Sequence, residues 1–296
     1  METNTRILSS EFEYFEPKSV EETLDLLSRY GEKARLIAGG TDLLVKMKRE
    51  LLHPEILISL SRVPELNFVK EDDDSFRIGA ATTLSELEKN PSIGRTLSAL
   101  YEAVRSMAAP AIRNMGTIGG NLANGSPAAD TAPPLQAFGS FLKLKSKNGE
   151  RTLPLEEFFL GPGKTALSFE EMISEIVVPK PPVNSGSAFL KLGRVSFDMA
   201  KINVAVYLER EGRRCSMCRI SLGSVAPTPI RAFSAEKLPQ GENFRESLIK
   251  AVSLKCQEEI KPIDDVRSTL KYRKAVCPVM VEEALKAAWE RCGGSL

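Results

Sequence analysis

The chain of 296 residues is 42% apolar and 27% charged, and its 40 basic and 39 acidic residues give a formal net charge of +1. Its length predicts two domains, with one or three as alternatives, and its composition is typical of globular proteins. The balance of charge excludes a field of one sign that would attract nucleic acid or an anionic membrane.

The first residues lack an apolar segment behind a basic one, and no run of about 18 apolar residues occurs, so we expect no signal peptide, no membrane span and a cytoplasmic location. The 5 cysteines, an odd number, favour free thiols in a reducing compartment. The single histidine, His53, argues against an imidazole-rich metal site, and we expect no metal on this chain. A structural role at a helix end is the favoured interpretation of His53.

Residues 1–62 are predicted to form a small α/β subdomain. Ser19 and Glu22 form a capping box before a helix that stops near Gly31. Further elements are expected as a strand over 35–38, a helix over 43–51 and a strand over 55–60.

Residues 63–180 are predicted to form a second subdomain, with a second capping box at Thr83 and Glu86. A long helix is expected over 94–109, interrupted by Pro110. A helix over 132–138, a turn over 161–164 and strands over 76–78, 141–145 and 173–178 complete it. The run from Pro179 to Pro182 is a stiff linker, which we take as the domain boundary.

Residues 185–296 are predicted to form a small antiparallel sheet backed by helices. Strands are expected over 189–191, 202–208 and 215–222, and helices over 243–259 and 264–292. Cys215 and Cys218 are three residues apart, so on a strand they should point to opposite faces, and two cysteines do not complete a tetrahedral metal site. Packed or surface thiols are therefore predicted.

Residues 36–43, which we call the first glycine loop, lie at a predicted strand-to-helix junction. Their sequence is Leu36-Ile37-Ala38-Gly39-Gly40-Thr41-Asp42-Leu43. Paired glycines allow a sharp bend in which several backbone N–H groups point at one place, which suits a phosphate. A turn that merely reverses the chain is an equal alternative for this loop taken alone, and the spacing does not match the Gly-x-Gly-x-x-Gly fingerprint of nicotinamide cofactors.

Residues 117–130, which we call the second glycine loop, have the same physical character. They begin with Thr117-Ile118-Gly119-Gly120-Asn121 and end at Asp130, whose carboxylate can accept hydrogen bonds from ribose hydroxyls. An irregular loop with Asx turns is the alternative. Two such loops in one predicted domain favour a long ligand whose diphosphate is held from two sides.

Five segments together resemble the FAD-binding medium subunits of the molybdenum hydroxylases, the family that contains xanthine dehydrogenase and aerobic CO dehydrogenase. The resemblance covers essentially the whole chain. The segments are Ala38–Leu44, Ile112–Asn121, Ser126–Asp130, Ser221–Arg231, and Asp264–Arg267 with Tyr272-Arg273. Where the family often has paired arginines after the Lys191 position, this chain has Arg194 alone.

The resemblance implies an α+β protein with a two-subdomain FAD-binding fold of the vanillyl-alcohol-oxidase type, followed by a small antiparallel sheet and a helical bundle. It implies non-covalent FAD bound by both glycine loops, with Asp130 near the ribose or adenine end. The implied contacts are Leu36, Ile37, Ala38, Gly39, Gly40, Thr41, Asp42, Leu43, Met107, Thr117, Ile118, Gly119, Gly120, Asn121, Asp130, Ile173 and Lys191.

The resemblance further implies an electron-transfer subunit without a catalytic side chain of its own. FAD would take electrons from the [2Fe-2S] clusters of a small partner subunit and pass them to an acceptor such as NAD(P)⁺. A large partner subunit with a molybdenum cofactor would hydroxylate the substrate. We expect an N-heterocycle, nicotinate- or purine-like, with CO or an aldehyde as alternatives.

Two other functions stay open from the sequence. A self-sufficient flavin oxidase or reductase of the same fold often attaches its flavin covalently, for which His53 is badly placed. A scaffold that has lost its cofactor is disfavoured by the intact glycine loops, because glycines that serve no purpose cost conformational entropy.

Overall fold

The computed structural model describes residue 8 and residues 10–295. Helices and strands are mixed, and the strands form three sheets plus a two-stranded ribbon within the described residues. This confirms the predicted α+β class. The predicted domain bounds, 1–62, 63–180 and 185–296, are kept as a proposal.

The first unit contains a three-stranded parallel sheet in the order β1-β3-β2. Its strands and helices are β1 Glu13–Phe15, α1 Val20–Tyr30, β2 Ala34–Ile37, α2 Leu43–Lys48 and β3 Ile56–Ser59. Helix α1 begins at the predicted cap, where the Ser19 hydroxyl accepts from the Glu22 N–H at 3.1 Å. The predicted capping box is not complete, because the Glu22 carboxylate accepts a hydrogen bond from the backbone N–H of Lys18 and not from that of Ser19.

The second unit contains a five-stranded antiparallel sheet in the order β4-β5-β10-β6-β7, covered by six short helices. Its elements in chain order are β4 Val69–Glu71, β5 Ser75–Gly79, α3 Leu84–Lys89, α4 Pro91–Thr96, α5 Ser98–Ser106, α6 Pro110–Arg113, α7 Ile118–Ala123, α8 Ala132–Ala137, β6 Phe141–Ser146, β7 Gly149–Pro154, β8 Phe159–Gly161, β9 Lys164–Thr165 and β10 Met172–Pro179. Helix α3 begins with a complete capping box between Thr83 and Glu86.

The prediction of one helix over 94–109 is wrong. Two helices, α4 and α5, replace it, because Leu97 leaves the helical region (φ −112°, ψ 53°) and buries its side chain in the core. Pro110 starts α6 instead of merely interrupting a helix. The first helical position suits proline, since its missing N–H would have no partner there.

Strand β10 contributes side chains to the hydrophobic cores of both the first and the second unit. Met172 is buried with the residues of the first unit, whereas its neighbour Ile173 is buried among those of the second. Successive side chains of a strand point to opposite faces, so this alternation joins the two units through a single strand.

The third unit contains a four-stranded antiparallel sheet in the order β11-β12-β13-β14, backed by helices. Its elements are β11 Ser185–Leu192, β12 Ile202–Glu211, β13 Arg214–Gly223, β14 Ile230–Arg231, α9 Phe233–Glu236, α10 Glu246–Glu259 and α11 Leu270–Arg291. Trp289 of α11 is fully buried and stacks on Phe244 with ring centroids 4.3 Å apart.

Helix α11 starts six residues later than predicted, at Leu270 rather than 264. Asp265 turns its carboxylate back onto the N–H groups of Arg267 and Ser268, at 2.8 and 3.1 Å, which forms a local turn that competes with a helix. Thr269 then caps α11 by accepting from Tyr272 N.

Cys215 and Cys218 are packed thiols, but the prediction that they point to opposite faces is wrong, because both side chains are buried in the core of the third unit. Arg210 pairs with Cys215 and Glu209 with Met217, so Ser216 is an extra residue on β13. Such a bulge resets the alternation of faces and places both thiols on the same side. Burial raises the pKa of Cys218 well above its usual range, which makes the thiol unreactive.

Buried polar contacts join the second unit to the third. Gln136 of α8 accepts from the Ser221 hydroxyl at 2.7 Å, and Ser187 accepts from the Ala99 N–H at 3.1 Å. The Arg231 guanidinium reaches Glu156 as well as Glu236.

In the described part of the chain, no helix is long and apolar enough to cross a membrane.

Gly186 lets β11 approach α11, because a Cβ there would overlap the Ala288 carbonyl. We expect Gly186→Ala to destabilise the protein by about 1–3 kcal/mol through this overpacking. The midpoint of urea unfolding measures the effect.

Gly161→Ala is the control, because a Cβ at that position meets nothing within 4 Å. Equal unfolding midpoints for the two variants would contradict the close approach of β11 and α11.

Candidate functional site

The first glycine loop connects β2 to α2 and bends at Gly40, where φ is +68°. The backbone N–H groups of residues 39–42 have no hydrogen-bond acceptor among the described residues. Two carbonyls of the loop are used by the following helix, since Leu44 N binds Gly40 O and Lys46 N binds Asp42 O. Four successive amides are therefore available to an anionic ligand.

The first glycine loop lies directly against the segment that leads into the second. A Cβ at Gly39 would overlap the backbone carbonyl of Met115, and a Cβ at Gly116 would lie 3.6 Å from the Thr41 hydroxyl. Lys46 on α2 adds a hydrogen bond of 2.6 Å to the side chain of Asn124. The structure thus brings the two glycine loops together.

The second glycine loop differs from its expected form, because most of its amides already have partners. Ile118 N and Gly119 N bind the carbonyls of Thr82 and Ala80, at 3.0 and 2.9 Å. Gly120 N binds the Thr117 hydroxyl, and Asn121 N binds the Thr117 carbonyl.

Gly119 therefore serves close packing, since a Cβ there would overlap Ala80. The Thr117 amide has no acceptor in the described part of the chain, so it remains available in this loop. Repeated glycines in a sequence do not reveal which amides the neighbouring segment after β5 will occupy.

Asp130 is 5% exposed, and both of its carboxylate oxygens have partners. Lys191 Nζ lies 2.6 Å from Oδ2, and Asn203 Nδ2 lies 2.7 Å from Oδ1. Lys191 and Asn203 are paired residues on β11 and β12. Burial raises the pKa of Asp130, while the Lys191 ammonium and the Asn203 amide oppose that shift. The carboxylate therefore ties the second unit to the third.

Met107 is brought next to this cluster. Lys191 Nζ also donates to the carbonyl of Ser106, the residue before Met107, at 3.1 Å. Met107 and Ile173 are buried in the core of the second unit, and Leu36 and Ala38 are partly buried against that of the first. The predicted residues of the two glycine loops thus lie together. Met107 and Lys191 gather around Asp130, the last residue of the second loop, whereas Ile173 lies in the core of the second unit.

Two polar residues of this region, Asn203 and Arg113, were not predicted from the sequence. Asn203 is fully buried on β12, and the available signal was a lone amide in an otherwise apolar strand. Arg113 is almost fully buried and lies four residues before Thr117. Its signal was a single arginine in an apolar segment between the two glycine loops.

Metal ligands are not gathered at this site. No group of three or more His, Cys, Asp or Glu side chains in the described residues has the geometry to hold a metal ion. His53 is exposed and lies in the segment after α2. Its Nδ1 forms a hydrogen bond of 2.7 Å with the Ser10 hydroxyl.

Two family models match nearly the whole chain. The model described as the FAD-binding domain in molybdopterin dehydrogenase matches residues 10–181, and the model described as the CO dehydrogenase flavoprotein C-terminal domain matches residues 187–288.

Individual proteins match over the same extent. The carbon monoxide dehydrogenase medium chain of Hydrogenophaga pseudoflava is 38% identical over 95% of this chain and 98% of its own length. A putative xanthine dehydrogenase FAD-binding subunit of Escherichia coli is 31% identical over 96% and 98%. A solved structure of the carbon monoxide dehydrogenase from Hydrogenophaga pseudoflava superposes with a TM-score of 0.94, covering 97% of this chain and 100% of the matched one.

Removal of the Asp130 carboxylate would leave the Lys191 ammonium buried without a counter-charge. We expect Asp130→Leu to lower the free energy of unfolding by about 3–5 kcal/mol, and the double variant Asp130→Leu/Lys191→Met to recover most of that loss. Equilibrium unfolding in urea measures both.

Asp25→Leu is the control, because its pair with Lys147 is exposed on both sides, where water screens the attraction and the pair adds little to stability. A double variant as unstable as Asp130→Leu would show that the pair does not act as a unit.

Proposed function

This chain belongs to the FAD-binding medium subunits of the molybdenum hydroxylases, and from that premise we propose that it is the electron-transfer subunit of a multisubunit dehydrogenase. The family and the fold expected from the sequence are confirmed, and the homologous chains are subunits of oxidoreductases. The cofactor of the family is FAD, so the residues of this chain can be tested for their fit to it.

Two observations support this proposal. The backbone amides of residues 39–42 have no acceptor among the described residues, and Gly39 lies against the backbone of residues 115 and 116. A diphosphate needs several fixed donors and close backbone approach, and paired glycines without side chains supply both. The residues fit FAD by this criterion. The proposed contacts are Leu36–Leu43, Met107, Thr117–Asn121, Asp130, Ile173 and Lys191.

We place Met107, Asp130 and Lys191 at one end of the cofactor, because Lys191 contacts both Asp130 and the residue before Met107. From the resemblance we expect Met107 and Lys191 to lie beside FAD, with Lys191 approaching the flavin. Asp130, first expected near the ribose or adenine, is therefore proposed to act at the flavin end by orienting the Lys191 ammonium.

Bound FAD supplies the redox chemistry, since a flavin accepts electrons singly and releases them as a pair. The chain itself holds the diphosphate, orients the ring and sets the local charge. No side chain of this chain needs to move a proton in that process.

The partners that we propose are a small subunit with [2Fe-2S] clusters and a large subunit with a molybdenum cofactor. The word medium in the name of the Hydrogenophaga relative supports such a three-subunit assembly. The terminal acceptor is proposed to be NAD(P)⁺, and the location cytoplasmic, which suits five free and buried cysteines.

The proposed substrate class is an N-heterocycle, nicotinate- or purine-like. The Escherichia coli relative is named for xanthine, a purine, whereas the Hydrogenophaga relative is named for carbon monoxide. Carbon monoxide and aldehydes are therefore the alternatives that an assay must include.

The purified wild-type chain should release about one FAD per chain on acid precipitation, and Gly39→Ala should release much less. The added methyl group would push the first glycine loop off the Met115 carbonyl and misalign its amides. The absorbance of the released flavin measures occupancy.

Gly161→Ala is again the control, because its neighbourhood is open. Wild-type protein without FAD would contradict the proposed function. Flavin that stays with the precipitate would instead favour the self-sufficient oxidase with a covalent cofactor.

In its own host, the tagged chain should purify with a small and a large subunit. Addition of the true substrate to this complex should bleach the flavin absorbance, and the isolated chain should show no bleaching because it lacks the electron source. Stopped-flow absorbance with xanthine, nicotinate, an aldehyde and CO measures this. Substrate oxidation at full rate by the isolated chain would overturn the electron-transfer role.

A further inference from the structure

Arg113 is the last residue of α6 and is 5% exposed. Its guanidinium forms a two-pronged ion pair with Glu88 of α3, at 2.9 Å from Nε to Oε2 and 3.2 Å from the second nitrogen to Oε1. A planar guanidinium suits such a pair better than an ammonium does. The pair leaves one guanidinium nitrogen for other partners.

That nitrogen holds the turn that follows α5. It donates to the carbonyls of Met107 and Ala108, at 2.9 and 2.7 Å. Ala108 has φ +40°, a strained conformation for a residue with a Cβ, which persists where surrounding bonds enforce it. Arg113 therefore fixes the backbone conformation at Met107 and Ala108.

The ring of Phe197 packs against the same guanidinium. The ring centroid lies 5.7 Å from Arg113 Cζ, and Phe197 has φ +65° with half of its side chain exposed. Arg113 thus joins α3, the Met107 turn and the segment before β12. Two strained non-glycine residues contact one buried cation.

We propose that Arg113 and Glu88 are a positioning pair that sets how readily the bound flavin accepts electrons. This inference rests on the proposed function, in which Met107 contacts FAD. The pair acts in two ways: it fixes the Met107 turn and turns two carbonyl dipoles toward the cation, and its opposite charges cancel near the cofactor. Because such charges interact strongly where water is excluded, loss of either one changes the electrostatic potential at the flavin.

The two halves of the pair should have opposite effects. Arg113→Gln leaves the Glu88 carboxylate uncompensated, which disfavours the electron-rich reduced flavin. Glu88→Gln leaves the cation uncompensated, which favours reduction. We expect a change of about tenfold in the reduction equilibrium in each direction, or about 30 mV for a two-electron couple.

The experiment is a spectroscopic redox titration of the flavin in the purified wild-type chain and in both variants. A lower midpoint potential in Arg113→Gln and a higher one in Glu88→Gln support the proposal. A purely structural role would loosen the Met107 turn in both variants, so shifts of the same sign, or none, would overturn it.

A control pair of the same residue types joins Arg151 on the edge strand β7 to Glu171. Arg151 binds Glu171 through Nε and Nη2, and Nη2 also donates to the Ala166 carbonyl, so the pair resembles that of Arg113 but has an exposed arginine. Arg151→Gln and Glu171→Gln should leave the potential unchanged.

If Arg113→Gln fails to retain FAD, the Glu88→Gln variant tests the proposal by itself. A higher midpoint potential supports the proposal, because only an uncompensated cation raises it, and an unchanged or lower one overturns it. Wild-type protein that binds no FAD would overturn the proposed function itself. Wild-type protein that binds FAD, with unshifted potentials in the variants, would overturn this inference alone.

Discussion

The buried carboxylate of Asp130 is the constraint on which the docking of the third unit on the second depends. An ionised side chain removed from water is costly unless a counter-charge and hydrogen bonds replace its hydration. Lys191 and Asn203 supply them, and they stand opposite each other on two strands of the third unit. The carboxylate is compensated only when that sheet has formed and has docked on the second unit. The hydrogen bonds of Asp130 therefore depend on the correct docking of the second and third units.

The two glycine loops have similar sequences and different physical tasks. Among the described residues, the first loop has no acceptor for the amides of residues 39–42 and so can bind an anion, whereas the second uses the amides of Ile118 and Gly119 to attach to the segment after β5. The backbone carbonyl of Met115 bridges these roles, because it fills the space where Gly39 lacks a side chain. The first loop supplies the donors, and the segment that leads into the second loop packs against them and holds them in place.

Local signals with a direct physical cause predicted local structure well. The caps at Ser19 and Thr83, the stop at Gly31 and the three groups of strands follow from side-chain oxygens, left-handed backbone and alternation. Two failures were long-range: Leu97 breaks a predicted helix to bury its side chain, and a bulge at Ser216 turns two cysteines to the same face. Neither effect has a local sequence signal. For the candidate site, the sequence indicated the loops, but which amides stay free and what Arg113 holds depend on segments far along the chain.

The alternation along β10 bears on how this fold can vary among related chains. Met172 faces one core and Ile173 the other, so a strand slipped by one position would exchange an apolar side chain between two differently shaped interiors. Both cores would then be mispacked by one event. Insertions and deletions should accordingly be excluded from the approach to this strand, even though it is a surface connection of the kind that usually tolerates changes of length. The packing of the first unit against the second therefore depends on a fixed number of residues before β10.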